Sequence, residues 1–523
     1  MTPPNIIFIV LDTLRADRLF TKHKKIYLTP FLKRLLSNSI YFPNCIANSP
    51  WTLPSHISMF TGLYPTQTTF ISNRVDRINE KIPLLAEILK NLGYNTLCFT
   101  ENAFISKTFG LTRGFDKVLN VWNWNPWETQ NYQLALFTRL ILKGDKIIKK
   151  SIKKRFLLKI WTHIKDRSIN LIKTLNKRLF FNNILFKLKN DTLKDLEIFY
   201  TVIKKYFSEE HPLFLFINLL TIHDPYIPAK ETFKLFNISQ DDFKSIKNMI
   251  IDPLKVRLDT NLKSKSLSKN QIRSIEKLYN ACVFTADLLL KKMFTSFEEL
   301  GILKNSYFII TSDHGEHLGS ELDHYFWEHN TYQSVYKSLM RVPLLIYNKN
   351  LEEQIIHEQV QLKDLFHTIL DLTEIPKQKN KYLQKEHSII FQIKEKLTPQ
   401  YILGEYLKSN IEMKELISAY GKKMKSIPIL KVYNHVYFLR SNRFKYIRYQ
   451  NMNLNEFYDL LDDPQEKNNI FSVNNKECQI SMDKMEDIFY TMTNTKEIQN
   501  ILTKKEKDVI HNTISKIKIN RGI

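Results

Sequence analysis

The chain predicts an α/β fold, a mainly parallel sheet with helices on both faces. Short apolar runs alternate with amphipathic helical patterns, the signature of successive βαβ units. Most of those runs are continuous rather than alternating, as strands buried on both faces are. Three of them stop at residues fit for chemistry: Asp12, His223 and Asp313-His314. In a parallel sheet the carboxyl ends of the strands are where ligands bind.

The elements follow in order. "NIIFIVLD" (5–12) is a strand, too short and without a basic flank to be a leader segment. "TPFLKRLLSNS" (29–39) is a short helix with Thr29 as cap and Pro30 at its first position. "PWTLPSHISMFTGLYP" (50–65) is read as a helix start that presents one hydroxyl to an anion, because Pro54 and Ser55 fit a helix only near its beginning. "KIPLLAEILKNLGY" (81–94) is an amphipathic helix ending at Gly93, and "NTLCFTEN" (95–102) is the next strand. "HPLFLFINLLTIHDPY" (211–226) is a buried strand entering a polar loop. "TADLLLKKMFTSFEELGI" (285–302) is a helix, "SYFIITSDHGE" (306–316) a strand, and "RVPLLIYN" (341–348) a further strand.

Two regions differ. Residues of about 120–200 are first aromatic and polar, then basic and amphipathic, and read as an inserted helical segment. That segment is either a solvated lid or a contact for an acidic membrane or polyanion. Residues 434–471 read as a short antiparallel unit, and the tail from about 475 to 523 as polar helices. The expected division is a catalytic domain over 1–370 and a C-terminal subdomain with a helical tail over 371–523.

A formal charge of +24 on 523 residues invites a polyanion partner, but no nucleic-acid motif stands out, and Lys, Asn and Ile are abundant throughout while Gly numbers only 11. Cys45, Cys98, Cys282 and Cys478 form no Cys-x-x-Cys or Cys/His pattern, as expected of free thiols in a reducing compartment. No run of about 18 apolar residues appears, so the expected location is cytoplasmic.

The chemistry concentrates at the strand ends. Asp313 and His314 can both reach one divalent cation, with Gly315 permitting a kink, and Asp12 adds a second carboxylate. Such a set suits Mn²⁺, Mg²⁺, Ca²⁺ or Zn²⁺. A hydroxyl at a helix start beside such an ion becomes a nucleophile at neutral pH, and the same helix end holds a tetrahedral anion. Phosphate and sulfate esters are the natural substrates of this device.

Eight blocks then resemble, in order, the sulfatase branch of the alkaline-phosphatase-like superfamily: "NIIFIVLDTLRADRL", "WTLPSHISMFTGLYPTQ", "LAEILKNLGYNT", "FGLTRGFDKV", "HDPYIP", "TSDHGEHLGS", "RVPLLIY" and "FYDLLDDPQEKNNI". They span about residues 5–470. The resemblance implies an α/β/α sandwich with a smaller C-terminal antiparallel subdomain.

It also implies roles, and departs from the family at the residue that defines its chemistry. The family's nucleophile motif is Cys or Ser, any residue, Pro, Ser, Arg, four residues, Thr-Gly, and that Cys or Ser is oxidised to formylglycine. Here the motif reads Thr52, Leu53, Pro54, Ser55, His56, then Thr61-Gly62. Oxidising a Thr would give a ketone, not the aldehyde. Thr nucleophiles occur in relatives that cleave or transfer phosphoesters, which favours phosphoryl chemistry. The family's Asp-Asp pair is Asp12-Thr13, leaving Asp12, Thr52, Asp313 and His314 as one metal site; "HDPY" with the His317, His324 and His329 group could supply part of a second, but one metal is favoured for want of an Asp-x-x-x-His pair. His223 corresponds to the substrate-anion histidine. His324 or His329 is the expected cation or proton donor at the ester, Asn102 and Lys107 are expected substrate contacts, and His56 supports Thr52 in place of the Arg. The implied function is a metal-dependent hydrolase or transferase of phosphoric or sulfuric esters. The alternatives are a sulfatase proper and a catalytically silent anion-binding protein.

Overall fold

A computed structural model describes residues 2–68, 77–120, 191–251, 253–261, 265–329, 334–376, 378–406, 435–449, 455–471 and 476–493. The basic segment expected at about 120–200 lies outside the described residues up to 190, as does the tail beyond 493.

Among the described residues the main sheet has nine strands: β1 (Asn5–Leu11), β2 (Ser39–Ile46), β3 (Asn95–Thr100), β4 (Lys117–Asn120), β5 (Leu213–Leu219), β6 (Ser306–Thr311), β7 (Arg341–Tyr347), β8 (Gln354–Ile355) and β9 (Val360–Gln361). Their order is β8-β2-β7-β6-β1-β5-β3-β4, with β9 also beside β2. β7 is antiparallel to both of its neighbours, β6 and β2, and every other pairing is parallel. The expected mainly parallel sheet is therefore what forms.

Strand β1 shows why the sheet must be covered twice. All seven of its residues are buried. Ile6, Phe8 and Val10 belong to one apolar cluster and Ile7, Ile9 and Leu11 to the other, because successive side chains leave opposite faces. The first cluster is filled by α2 (Thr52–Thr61), α3 (Leu85–Asn91) and α7 (Leu365–Leu372). The second is filled by α1 (Pro30–Leu35), α4 (Asp191–Tyr206) and the 31-residue α6 (Lys269–Glu299). A shorter helix, α5 (Pro253–Asn261), precedes α6. These layers make the α/β/α sandwich.

Two local expectations change. Thr29 stands at the cap position of α1, but its hydroxyl accepts from the Phe20 amide. The first amides of α1, at Phe31 and Leu32, are instead taken by the Asp287 carboxylate on α6 at 2.7 and 2.9 Å. A tertiary contact has displaced the local cap. Gly315, expected to permit a kink, is needed for closeness: a Cβ there would collide with the Ser338 carbonyl.

A second sheet is antiparallel, in the order β10 (Ile402–Tyr406), β11 (Val436–Arg440), β12 (Phe444–Tyr449) and β13 (Glu456–Asp459), and α8 (Lys476–Thr493) packs beside it. Buried polar bonds tie it to the sandwich. Glu456 accepts from the hydroxyls of Tyr336, Tyr449 and Tyr458 at 2.8–2.9 Å, and Glu405 accepts from the amide and hydroxyl of Thr66 just beyond α2.

Candidate metal and anion site

Four adjacent strands, β6, β1, β5 and β3, each deliver a candidate residue past their carboxyl end: Asp313-His314, Asp12, His223 and Asn102. The sheet order alone brings together residues up to about 300 positions apart. Helix α2 supplies the fifth component. Thr52 is its first residue, and all ten residues of the helix are buried.

Four electron-rich atoms converge. Nδ1 of His314 lies 2.9 Å from the Gly315 carbonyl oxygen. A carbonyl only accepts, so the ring proton is there and Nε2 keeps its lone pair. That Nε2 stands 3.3 Å from Thr52 Oγ1, 3.4 Å from Asp313 Oδ2 and 3.8 Å from Asp12 Oδ1. Both carboxylate oxygens are buried and accept no hydrogen bond. Buried polar atoms are rarely left unsatisfied, and two carboxylates, an imidazole and a hydroxyl this close together fit a divalent cation. Burial, and for Asp12 the neighbouring Asp313, pushes both carboxyls up to about 6, the cost of two close anions in a dry site.

The remaining atoms of these ligands are held. Asn102 donates from Nδ2 to Asp12 Oδ2 at 2.8 Å. The amides of His314 and Thr13 donate to Asp313 Oδ1 at 3.0 and 3.4 Å. Thr13, where the resemblance expects a second carboxylate, has φ of 63° and turns its hydroxyl onto the Asp12 carbonyl. That conformation is strained for a β-branched residue, and it delivers the Thr13 amide to Asp313. Ser55 donates to the Asp313 carbonyl at 2.7 Å, joining the first turn of α2 to the β6 loop.

His56 is fully buried against Phe60 and Phe216. Its Nδ1 donates to the Thr52 carbonyl at 2.8 Å and lies 3.6 Å from Asp313 Oδ2. Burial pushes the ring down to about 3, so it is neutral. It anchors the first turn of α2 and does not replace the charge of an Arg.

Three histidines stand in a row. The ring centroids of His314 and His329 are 4.4 Å apart, and those of His329 and His223 are 4.9 Å apart. Nδ1 of His329 faces both Glu316 oxygens, at 3.0 and 3.2 Å. Burial, with His314 and His223 beside it, holds His329 well below its ordinary value. Burial also pushes His223 down, but Asp224 and Asp12 reverse this, and its value is raised. His324 lies elsewhere, in αL geometry and stacked on Tyr336 at 3.8 Å. Lys107 is exposed on the loop after β3.

The "HDPY" stretch and His329, which the sequence offered as part of a second ligand set, do meet: His223, Asp224 and His329 bring potential ligand atoms within 4.8 Å of one another. Other residues of the site escaped sequence reasoning. Glu316 was quoted only as part of Asp-His-Gly-Glu, and Arg257 and Glu328 form an ion pair that nothing in their local sequence marks.

Known proteins agree with this architecture. Arylsulfatase K of Bos taurus is 23% identical over 496 residues, covering 89% of this chain and 78% of that protein. The N-acetylglucosamine-6-O-sulfatase of Bacteroides thetaiotaomicron is 22% identical over 506 residues, covering 90% and 82%. The crystal structure of the phosphonate monoester hydrolase of Agrobacterium radiobacter superposes with a TM-score of 0.61 at 16% identity, over 93% of this chain and 95% of that one. The family model described as Sulfatase matches residues 4–375; the chain belongs to the sulfatase family of ester hydrolases.

Proposed function

We propose that this hydrolase acts on phosphoric esters, with the unmodified Thr52 hydroxyl as its nucleophile. The observation that carries the reading is the position of Thr52 Oγ1, at the start of a buried helix and 3.3 Å from His314 Nε2, among carboxylate oxygens that lack partners. Asp12, Asp313, His314 and Thr52 would hold one divalent cation. When bound, that ion supplies the positive charge that lowers the hydroxyl's pKa and offsets charge on the ester. Thr52 Oγ1 attacks phosphorus in line, the bond from phosphorus to the leaving alcohol breaks, and a phosphothreonine forms. Water, or an acceptor alcohol, then takes the phosphoryl group and returns the hydroxyl. The positive dipole end of α2, at Thr52 and Leu53, would face the transferring group. His223 and His329 line the same space and contact the ester oxygens. Neutral His56 and Ser55 keep the first turn of α2 registered against Asp313.

A sulfuric ester is the second reading, favoured by relatives whose names are sulfatases. It asks more of an unmodified Thr, because a sulfothreonine does not readily return the hydroxyl.

The deciding experiment is peptide mass spectrometry of residues 50–65 after incubation with Mn²⁺ and, in parallel, an aryl phosphate, a bis-aryl phosphodiester and an aryl sulfate. A phosphate-sized adduct on Thr52 is expected, with release of aryl alcohol. Thr52→Ala is expected to lower turnover by at least about 10³-fold while the protein stays folded. Release from the aryl sulfate alone would establish the second reading. Near-wild-type activity in Thr52→Ala would remove Thr52 from both.

A further inference from the structure

We infer that the cleft between Arg15, Lys337 and Arg341 is a separate anion site, which takes one tetrahedral oxyanion, a phosphate or sulfate group. It lies outside the reaction centre and does not depend on the Thr52 reading.

The cleft opens where the sandwich meets the turn that follows β13. Arg15, Asp17, Leu322, Lys337, Arg341 and Gln465 line it, and its volume is about 120 Å³. A cavity of about 10–15 Å³ already admits one water, so a group of several heavy atoms fits here. None of Asp12, Thr52, His223, His314 and His329 lines it.

Charge suits the cleft to an anion. Burial, then Arg341, pushes the Lys337 ammonium below its ordinary value, against Glu466 and Asp17. Burial likewise pushes Arg440 down to about 10, with Arg341 adding to it against Glu466. Three cations thus repel one another around one opening.

The carboxylates that reach them are already taken. Glu466 accepts from Lys445 Nζ at 2.9 and 3.0 Å and from the Lys337 amide at 3.1 Å. Asp17 meets Arg15 through both oxygens, at 2.9 and 2.8 Å, and Arg15 also pairs with Asp323 at 2.6 Å. Lys337 Nζ donates to the Pro464 carbonyl at 2.7 Å and Arg440 Nη1 to Gln359 Oε1 at 2.8 Å, both neutral acceptors. Among the described residues, no hydrogen bond or ion pair engages the Arg341 guanidinium. A guanidinium fork beside an ammonium presents only donors, which match the oxygens of a phosphate or sulfate. Exposed Leu322 gives the cleft an apolar lip on which the body of an ester can rest. The rival arrangement is a hydrated cleft, with Lys337 held by Pro464 and Arg341 facing water.

The test uses the full chain stripped of metal with a chelator. Crystals soaked in tungstate, a heavy tetrahedral oxyanion, locate the site by anomalous scattering. Equilibrium dialysis with radiolabelled inorganic phosphate counts the ions bound in solution. A tungstate peak within hydrogen-bond distance of Lys337 and Arg341 is expected, lost in Arg341→Gln and in Lys337→Gln. The wild type is expected to bind one more phosphate per chain than either variant, each checked for folding by circular dichroism. Equal phosphate counts in the wild type and both variants overturn the proposal. A tungstate peak in the cleft with those equal counts marks an adventitious ion only. Tungstate found beside Thr52 and not in the cleft overturns it as well. Phenyl phosphate then separates the two sources of the anion. If it displaces the additional phosphate at lower concentration than unlabelled phosphate does, the ligand is an ester; equal displacement assigns the cleft to the free anion. Failure of the Thr52 reading would appear as a missing adduct with these counts unchanged.

Discussion

Asp12 has one oxygen tied to Asn102 and the other left bare. The asymmetry makes Asn102 the residue that aims the carboxylate. Replacing it with Ala is expected to weaken Mn²⁺ binding to the stripped protein about 10–100-fold, read by titration calorimetry; an unchanged affinity would show that Asp12 holds its direction unaided. Gly315 acts through space rather than angle. Gly315→Ala drives a methyl group into the Ser338 carbonyl, backbone that also accepts from the Glu316 amide at 3.1 Å. A loss of about 1–3 kcal/mol is expected, measured as a lowered denaturation midpoint.

Between elements, the contacts that matter are buried and polar. Glu405 on β10 accepts two bonds from Thr66, and burial raises its carboxyl to about 7 against those bonds, from an ordinary 4.5. The folded state therefore binds this proton more tightly than the unfolded chain. Its contribution to stability is complete below about pH 4.5 and is lost as pH rises through about 7, at most about 3 kcal/mol at 1.4 kcal/mol per unit. Glu405→Gln, neutral throughout, is expected to flatten that stretch of the stability–pH curve; parallel curves for the two proteins would refute the assignment. At this scale the sequence was most informative about strands. The runs at 5–12, 95–102, 211–226 and 306–316 could be read because a strand buried on both faces is written as unbroken apolar residues. Their ends named Asp12, His223 and Asp313-His314 for the same reason. The cap of α1 could not be read, because Asp287 comes from α6, some 256 residues away. Nor could the ion pair of Arg257 with Glu328 be read, since neither residue has a local pattern and only the folded loops bring them together.

The whole molecule carries a formal charge of +24, and its proposed substrate is an anion. Long-range attraction then raises the encounter rate and is screened by salt. Raising ionic strength from about 20 to about 200 mM is expected to increase KM for an aryl phosphate several-fold and to leave kcat little changed; a KM insensitive to salt would confine the charge to roles away from the site. The sheet order has a consequence of a different kind, for synthesis. Strand β1, which precedes the other described strands in the chain, is also a central one, and its permanent neighbours begin at residues 213 and 306. A ribosome adding roughly 5–20 residues per second needs on the order of 15–60 s to make the intervening 300 residues. Until β5 is made the nascent chain displays "NIIFIVL", wholly apolar but for its first residue, with neither edge paired, and one edge stays open until β6 follows. The strand that leads to Asp12 is thus exposed to mispairing for longest on its β6 side, and the Asp12, Asp313 and His314 cluster assembles only once β6 is in place.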